Sequence, residues 1–206
     1  MGAETFQRFT GIQRPDPDPA QSVSMFLVQR EGGKYARGII ITTNAKAGDG
    51  NGWVRNHSIW ARKNVHFNDS DKNYNTAESE CWQINHNVNF YNYSSKNVFL
   101  LSFKSFQRAE FDTTTAVALE FWVNDQYDMM FLRYYILPIL HGFARSNDLK
   151  WKSREWHPEA IIDDADRKRL VSAAREFGKL MYPLVKEGFA NDLPKKPSVT
   201  DFAFQK

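Results

Sequence analysis

Aromatic and basic side chains recur close together in segments of this chain whose composition predicts β-strands. Trp60 and Arg62 are two residues apart, as are Lys104 and Phe106. Residues two apart share a face of a strand, so each pair would place a ring beside a cation. Single-stranded nucleic acids are held by cations that neutralise phosphates and by rings on which bases stack, at roughly 1–3 kcal/mol per base. The candidate contacts chosen on this basis are Lys34, Tyr35, Arg37, Lys46, Arg55, Trp60, Arg62, Lys63, Lys104 and Arg108.

The distribution of charge supports an anionic partner more strongly than the net charge of +3 does. Between residues 30 and 63 the acids are Glu31 and Asp49, whereas the bases are Arg30, Lys34, Arg37, Lys46, Arg55, Arg62 and Lys63. Residues 87–109 hold bases and no acid, and acids predominate in residues 110–148. Charge is therefore segregated by sign along the chain. A solvated basic face with snorkelling cations is the alternative explanation.

Motifs of the common enzyme classes are absent from the sequence. The histidines have no HExxH or other metal-ligand spacing, and there is no GxSxG, P-loop or dinucleotide-binding GxGxxG pattern. The glycine-rich segment GDGNG at residues 48–52 lacks the Lys-Ser/Thr of a phosphate loop, so a hairpin loop is the better interpretation. The single cysteine, Cys81, excludes an intramolecular disulfide and a thiolate zinc cage, and we expect a packed thiol. We predict no catalytic residue, metal or cofactor.

The start of the chain has no recognisable targeting signal. The first residues have neither a signal-peptide core nor an Arg/Ser-rich presequence, and no apolar run reaches the ~18 residues of a membrane span. A protein with this start that works in an organelle would have lost its leader.

The strand and turn signals predict a β-rich domain. Residues 1–21, with three prolines alternating with aspartates, indicate a disordered arm, and folding is expected to begin near Val23. Strands are predicted in SVSMFLVQRE, KYARGIIITT, GWVRNHSIWARKNVHF, KNVFLLSFKSF and TAVALEFWV. In the last of these, Val117, Leu119, Phe121 and Val123 would share a face opposite Glu120 and Trp122.

Helical signals predict three helices. A short one begins with Asn75 as its cap and continues through Cys81 and Ile84. A second spans Gln126 to His141, is apolar on nearly all sides and is therefore expected to be buried, with a kink at Pro138 and Gly142 as its C-terminal cap. A third, amphipathic helix runs from about Asp163 to Lys186, with acids at its start. Its predicted apolar positions are Leu170, Ala174, Phe177, Leu180, Met181 and Leu184.

This order of elements, with the ending Leu137-Pro138 followed by Gly142-Phe143, resembles the Whirly family. The basic turn at residues 33–38 lies where plant Whirly proteins carry a Lys-rich strand motif, although its amino-acid sequence differs from that motif. The resemblance implies an α+β fold of two packed antiparallel four-stranded sheets, with a short helix after the first, a buried helix after the second, and a C-terminal helix added. The expected organisation is an arm over 1–21, the Whirly-like domain over 22–148, a helical extension over 149–190 and a flexible tail over 191–206.

Within that family the chain is most similar to the kinetoplastid mitochondrial guide-RNA-binding proteins. This likeness implies RNA held by its backbone with little sequence preference, annealing of guide RNA to messenger RNA during editing, a mitochondrial location and a heterotetramer with a homologous sister subunit. Two alternatives stay open from the residues. One is a single-stranded DNA-binding protein, and the other is a protein-interaction subunit with Trp122, Trp151 and Trp156 exposed for another chain.

Overall fold

The computed structural model describes residues 6–10, 22–31, 34–44, 64–70, 78–88, 115–144, 155–191 and 202–204. Within these residues the chain forms strands, one α-helix and one short 3-10 helix. The strands are β1 (Phe6–Thr10), β2 (Ser22–Glu31), β3 (Lys34–Asn44), β4 (Phe67–Ser70), β5 (Ser79–Val88), β6 (Thr115–Asn124) and β7 (Met129–Ile136). The α-helix, α1, spans Ala165–Phe189, and the 3-10 helix spans Pro138–His141.

These strands pair antiparallel in one seven-stranded sheet with the order β1-β2-β3-β7-β6-β5-β4. The α+β class, with an antiparallel sheet and a C-terminal helix, is thereby confirmed. The expected pair of four-stranded sheets differs from this pattern, because the described strands are hydrogen-bonded into a single sheet. The predicted strands around residues 22–31, 34–44 and 115–124 are confirmed.

One face of the sheet packs against α1. On β6 the alternate residues Val117, Leu119, Phe121 and Val123 are buried there, as predicted. Leu170, Ala174 and Phe177 of α1 complete this core. Two further chain segments join it with Trp156 and Phe202.

A close contact between α1 and the sheet occurs at Gly178. A Cβ atom built there would lie 2.7 Å from Trp82 Cη2 and 3.0 Å from Leu119 Cδ2. Such distances are well inside van der Waals contact, so only glycine allows the helix to approach this closely. Trp82 is itself fixed between Phe67 and Phe121, at ring-centroid distances of 4.4 Å and 5.9 Å.

The helix begins at a well-formed cap. The Asp164 carboxylate accepts a hydrogen bond from the Arg167 backbone N–H at 2.9 Å and from the Arg167 guanidinium at 2.7 Å. These bonds satisfy a free N–H of the first turn and place negative charge at the positive end of the helix dipole. Hydrogen bonding by the Arg167 N–H is the main reason that the pKa of Asp164 is lowered. The prediction of acids at the start of this helix is confirmed.

The predicted helix through Cys81 and Ile84 is wrong, because Ser79–Val88 forms strand β5. Trp82 and Ile84 face the core shared with α1, whereas Cys81 and Gln83 lie on the other side. This two-residue period is that of a strand, and pairing with both β4 and β6 overrides the local capping signal. The expectation of a packed Cys81 thiol is confirmed, since Cys81 is fully buried in a small cluster with Phe131.

The predicted helix Gln126–His141 is also wrong. Its residues form an exposed turn, strand β7 and the 3-10 helix, which begins at Pro138 instead of being kinked there. Burial of the segment is confirmed for β7, which lies between β3 and β6 with both faces covered. A strand buried on both faces has a continuous apolar run and therefore resembles a buried helix in its sequence. Gly142 does end the 3-10 helix, in a left-handed conformation with φ 81°.

Both chain ends contain structure beyond the predicted domain. Phe6–Thr10, within the segment expected to be a disordered arm, forms β1 and pairs with β2. Phe202, within the expected flexible tail, is buried in the core, with its ring 5.7 Å from that of Phe177. Leu170 and Phe177, within the predicted helical extension, belong to the same core. Apolar burial, not local composition, decides the placement of the described residue Phe202.

Two smaller differences concern element limits and faces. Helix α1 spans Ala165–Phe189, and Leu180, predicted on its inner face, is 60% exposed. Residues 64–66, predicted as part of a long strand, form a bend before β4. The His66 N–H bonds to the Ile84 carbonyl oxygen at 2.9 Å, which leads the chain into its pairing with β5.

Candidate functional site

Three of the predicted contact residues lie at the closed end of the β2–β3 hairpin. Lys34 is paired with Glu31, Tyr35 with Arg30, and Arg37 with Gln29, and a β-bulge separates Gln29 from Arg30. Paired residues in antiparallel strands are about 5 Å apart, so the pairing brings the basic positions 30, 34 and 37 together with a tyrosine. A bulge increases local twist and redirects the strand end. The hairpin end thus gathers part of the predicted site.

The other predicted contacts lie outside the described residues. They are Lys46, Arg55, Trp60, Arg62, Lys63, Lys104 and Arg108.

The central strands provide no open face for a polyanion. On the face opposite α1, Glu120 is 2% exposed, and Ile40 and Tyr135 are buried as well. Trp122 is only partly exposed and donates from its indole N–H to Asn124 Oδ1 at 2.7 Å. A nucleic-acid surface therefore has to lie at the ends or edges of these strands or elsewhere on the chain.

That second face is organised by a buried polar cluster. Glu120 accepts hydrogen bonds from Gln83 Nε2 at 2.5 Å and from Arg133 Nε at 2.9 Å. Burial is the main cause that raises the pKa of the neighbouring Tyr135 hydroxyl, so this group stays protonated at neutral pH. The Arg133 guanidinium lies 4.2 Å from the centre of the Phe131 ring. Arg133, although cationic, is thus engaged inside the protein.

A groove of about 380 Å³ opens between β4 and α1. β4 contributes Phe67 and its next two residues, and α1 contributes cations and a ring. This volume is within the ~300–1,000 Å³ range of small-molecule sites. The lining residues are Phe67, Asn68, Asp69, Trp82, Arg175, Lys179, Tyr182 and Pro183.

Rings and cations meet directly in this groove. Arg175 Cζ is 4.3 Å from the centre of the Phe67 ring, and Trp82 lies beneath Phe67 at 4.4 Å. Lys179 follows Arg175 by one helical turn and pairs with Glu176 at 2.7 Å. Both cationic side chains belong to exposed residues. The groove thus combines accessible positive charge with aromatic surface, the chemistry that the sequence predicted elsewhere.

This groove is not among the sites predicted from the sequence. Arg175 and Lys179 were part of an ordinary amphipathic helix, and Phe67 was expected on the face of a longer strand. A usable signal existed in the i, i+4 spacing of the two cations on the exposed side of the helix. Nothing in the local sequence, however, indicates that β4 lies beside them.

Three histidines from different elements meet at one edge of the helix-covered core. The rings of His66 and His86 are 5.8 Å apart, and those of His86 and His157 are 5.6 Å apart. Burial, aided by the neighbouring His86, lowers the pKa of His66 to about 4. Among the described residues, no group of His, Cys, Asp or Glu has the geometry of a metal site. His66 is therefore neutral at physiological pH, and its ring packs edge-on against that of His86.

Comparison with known proteins finds no family model, no curated protein and no solved structure that matches this chain. In the described part of the chain, no helix is both long and apolar enough to cross a membrane.

Proposed function

We propose that this chain is a non-catalytic RNA-binding protein that grips the RNA backbone with little sequence preference. The observation that carries the proposal is the excess of basic residues between positions 30 and 63. Three of those positions, Arg30, Lys34 and Arg37, are gathered at the end of the β2–β3 hairpin. Clustered cations bind a polyanion by neutralising phosphates and releasing counterions.

The Whirly-like architecture belongs to the same proposal. The described strands form one layer, whose face opposite α1 is buried around Glu120 and Ile40. A second packed layer would produce such burial, because sheets cover their faces by layering. The resemblance further suggests annealing of guide RNA to messenger RNA, a mitochondrial site of action and a homologous partner subunit. These follow from the resemblance alone.

Replacing Lys34 and Arg37 together by alanine tests the site. We expect weaker binding of every single-stranded RNA tried and a salt dependence that is flatter by roughly 0.7 in slope for each lost phosphate contact. Fluorescence anisotropy at several salt concentrations measures both quantities. Arg169→Ala is the control, since Arg169 is an exposed arginine of α1 far along the chain from the hairpin. Equal affinity in the double variant and the wild type would remove the hairpin end from the site.

RNA and DNA oligonucleotides of the same sequence separate the two nucleic-acid hypotheses. Only RNA offers the 2′-hydroxyl as a donor and acceptor. If the protein prefers RNA, the DNA oligonucleotide should therefore compete poorly with the RNA for binding to it. An annealing assay with two complementary RNAs then tests the proposed activity. Absence of binding to either nucleic acid would overturn the proposal.

The protein-interaction alternative loses part of its original support. Trp156 is 1% exposed and stacks edge-on against Phe143, and Trp122 is half-buried, so neither is a free aromatic anchor. Trp151 lies outside the described residues. Exposed aliphatic residues give this alternative a different basis, because Ile162 and Leu180 are about 60% exposed. Mass measurement of the native assembly without nucleic acid would reveal such a partner.

A further inference from the structure

We infer that the groove between β4 and α1 holds one nucleotide of a bound single-stranded RNA, with the base against Arg175 and Tyr182 and the phosphate near Lys179. This inference rests on the proposed RNA-binding function. The groove is then a second contact region, formed by residues other than those predicted from the sequence.

The arginine at the groove is held in a position suited to stacking. Arg175 Cζ lies 4.3 Å from the Phe67 ring centre, which is the separation of a stacked guanidinium. Phe67 in turn rests on Trp82, which is 2% exposed and cannot move away. A planar guanidinium backed by a ring is a platform on which an unpaired base can stack.

The second ring of the groove is supported in a similar way. Tyr182 is half-buried, lies 6.3 Å from Trp82, and has Lys186 Nζ 5.3 Å from its ring centre. Lys186 is held by Glu80 at 2.8 Å, across to β5. The ring is therefore fixed between the sheet and the helix, so little side-chain entropy is lost when a base packs against it.

Polar groups complete the groove on the strand side. Asp69 follows Phe67 by two residues on the same face of β4, about 7 Å along the strand. Its exposed carboxylate is an acceptor for the amino or imino N–H groups of a base edge, and Asn68 also lines the groove. A carboxylate would repel a bare phosphate. A ligand with a ring and N–H donors at one end and an anion at the other, as in a nucleotide, fits all of these groups better than an inorganic anion does.

The charge of the helix side favours the same orientation. Arg175 and Lys179 are one turn apart, about 6 Å along the helix axis. Glu176 pairs with Lys179, and Arg175 is exposed. A phosphate at this side gains a charge-assisted contact while the base lies inward, towards the rings.

The test uses the full chain and a ten-nucleotide single-stranded RNA with a fluorescent label. We expect Arg175→Ala to weaken binding by roughly thirtyfold, the middle of the range for loss of one stacked base. Arg169→Ala is the matched control. Arg169 is also exposed, pairs with an acid on its own helix and lies over a ring, Phe204 at 5.6 Å, but it does not line the groove. Its replacement should change affinity less than twofold.

A second pair of measurements separates base stacking from charge. Arg175→Lys keeps the charge and loses the planar group, so it should weaken binding of the normal RNA several-fold. With an abasic RNA of the same length, Arg175→Lys and the wild type should bind equally, because there is no base left to stack. Equal loss with both oligonucleotides would overturn the base-stacking assignment and leave a phosphate contact only.

The outcomes distinguish this inference from the proposed function. If the wild type binds RNA and Arg175→Ala, Lys179→Ala and Arg169→Ala all bind it equally well, the groove is not a nucleotide site and the RNA-binding proposal stands. If the wild type binds no RNA, both fail. Thermal melting of each variant checks folding, and should Arg175→Ala not fold, Lys179→Ala and Arg175→Lys carry the test.

Discussion

Both faces of the sheet are buried at β6 and β7, but different chemistry stabilises the two faces. Facing α1, Leu119 and Phe121 of β6 pack against helix residues such as Leu170, and burial of apolar area stabilises this side. On the other face of the same strand, Glu120 is bound by Gln83 and Arg133. Apolar packing is non-directional, whereas a buried charged cluster is stable only while every partner is present. The difference predicts unequal tolerance to substitution.

The largest effect is expected from Glu120→Ala on the polar face. Removing the carboxylate leaves Gln83 and the mostly buried Arg133 without their acceptor, which should lower the free energy of unfolding by about 3 kcal/mol or more. Urea unfolding measures this change. The triple replacement Gln83→Leu, Glu120→Leu, Arg133→Met should cost much less, because the carboxylate and both of its hydrogen-bond donors are then removed together. A Glu120→Ala cost below about 1 kcal/mol would contradict the comparison.

Acidification should weaken the helix-covered side through His66. Its pKa is about 4 in the folded protein and about 6.5 when unfolded, so the unfolded state binds more protons between these values. The contribution of neutral His66 to the free energy of unfolding is therefore fully present above pH 6.5. It is lost as the pH falls to 4, which lowers that free energy by up to about 3 kcal/mol. His86 and His157, with Glu159 3.9 Å from His157, are the titratable groups beside it.

The control for this pH dependence is His66→Gln, which cannot titrate. Unfolding free energies measured from pH 7.5 to 4 should fall less in this variant than in the wild type. Identical pH dependence in both proteins would assign the acid sensitivity to other groups.

Gly178→Ala tests the close contact on the helix side. The new Cβ would overlap the Trp82 ring, which Phe67 and Phe121 hold in place. We expect a loss of about 2 kcal/mol from overpacking, despite the better helix propensity of alanine. Ser172→Ala, at an exposed position of α1, should be neutral or slightly stabilising. Equal stability of both variants would mean that the helix can shift away from the sheet.

The smallest effect is expected at the helix cap. Asp164→Ala removes the acceptor for the Arg167 N–H and should cost about 1 kcal/mol. The pKa of Asp164 is lowered in the folded state, so its contribution is present at neutral pH and is lost as pH falls through that depressed pKa. Thermal melting at pH 7 and in acid should show the variant and the wild type converging in acid. A constant difference would contradict the cap assignment.

Parts of the candidate sites were predictable to different degrees. The basic residues of the hairpin were found from charge and strand pattern, and the antiparallel pairing of β2 with β3 brings them together locally. The groove was not predictable, because Phe67 and Arg175 are separated by more than a hundred residues and no pattern links them. Contacts between distant segments depend on the packing of whole elements, which local propensity does not contain.

By itself, the sequence determined features that depend on local period and end signals. These are the two-residue alternation of β6 and the start of α1 near acids. Only the tertiary structure decided that Ser79–Val88 and Met129–Ile136 are strands. A run of residues that is apolar on nearly every side is equally compatible with a buried helix and with a central strand. Hydrogen bonds from strands on both sides, which come from distant parts of the chain, select between them.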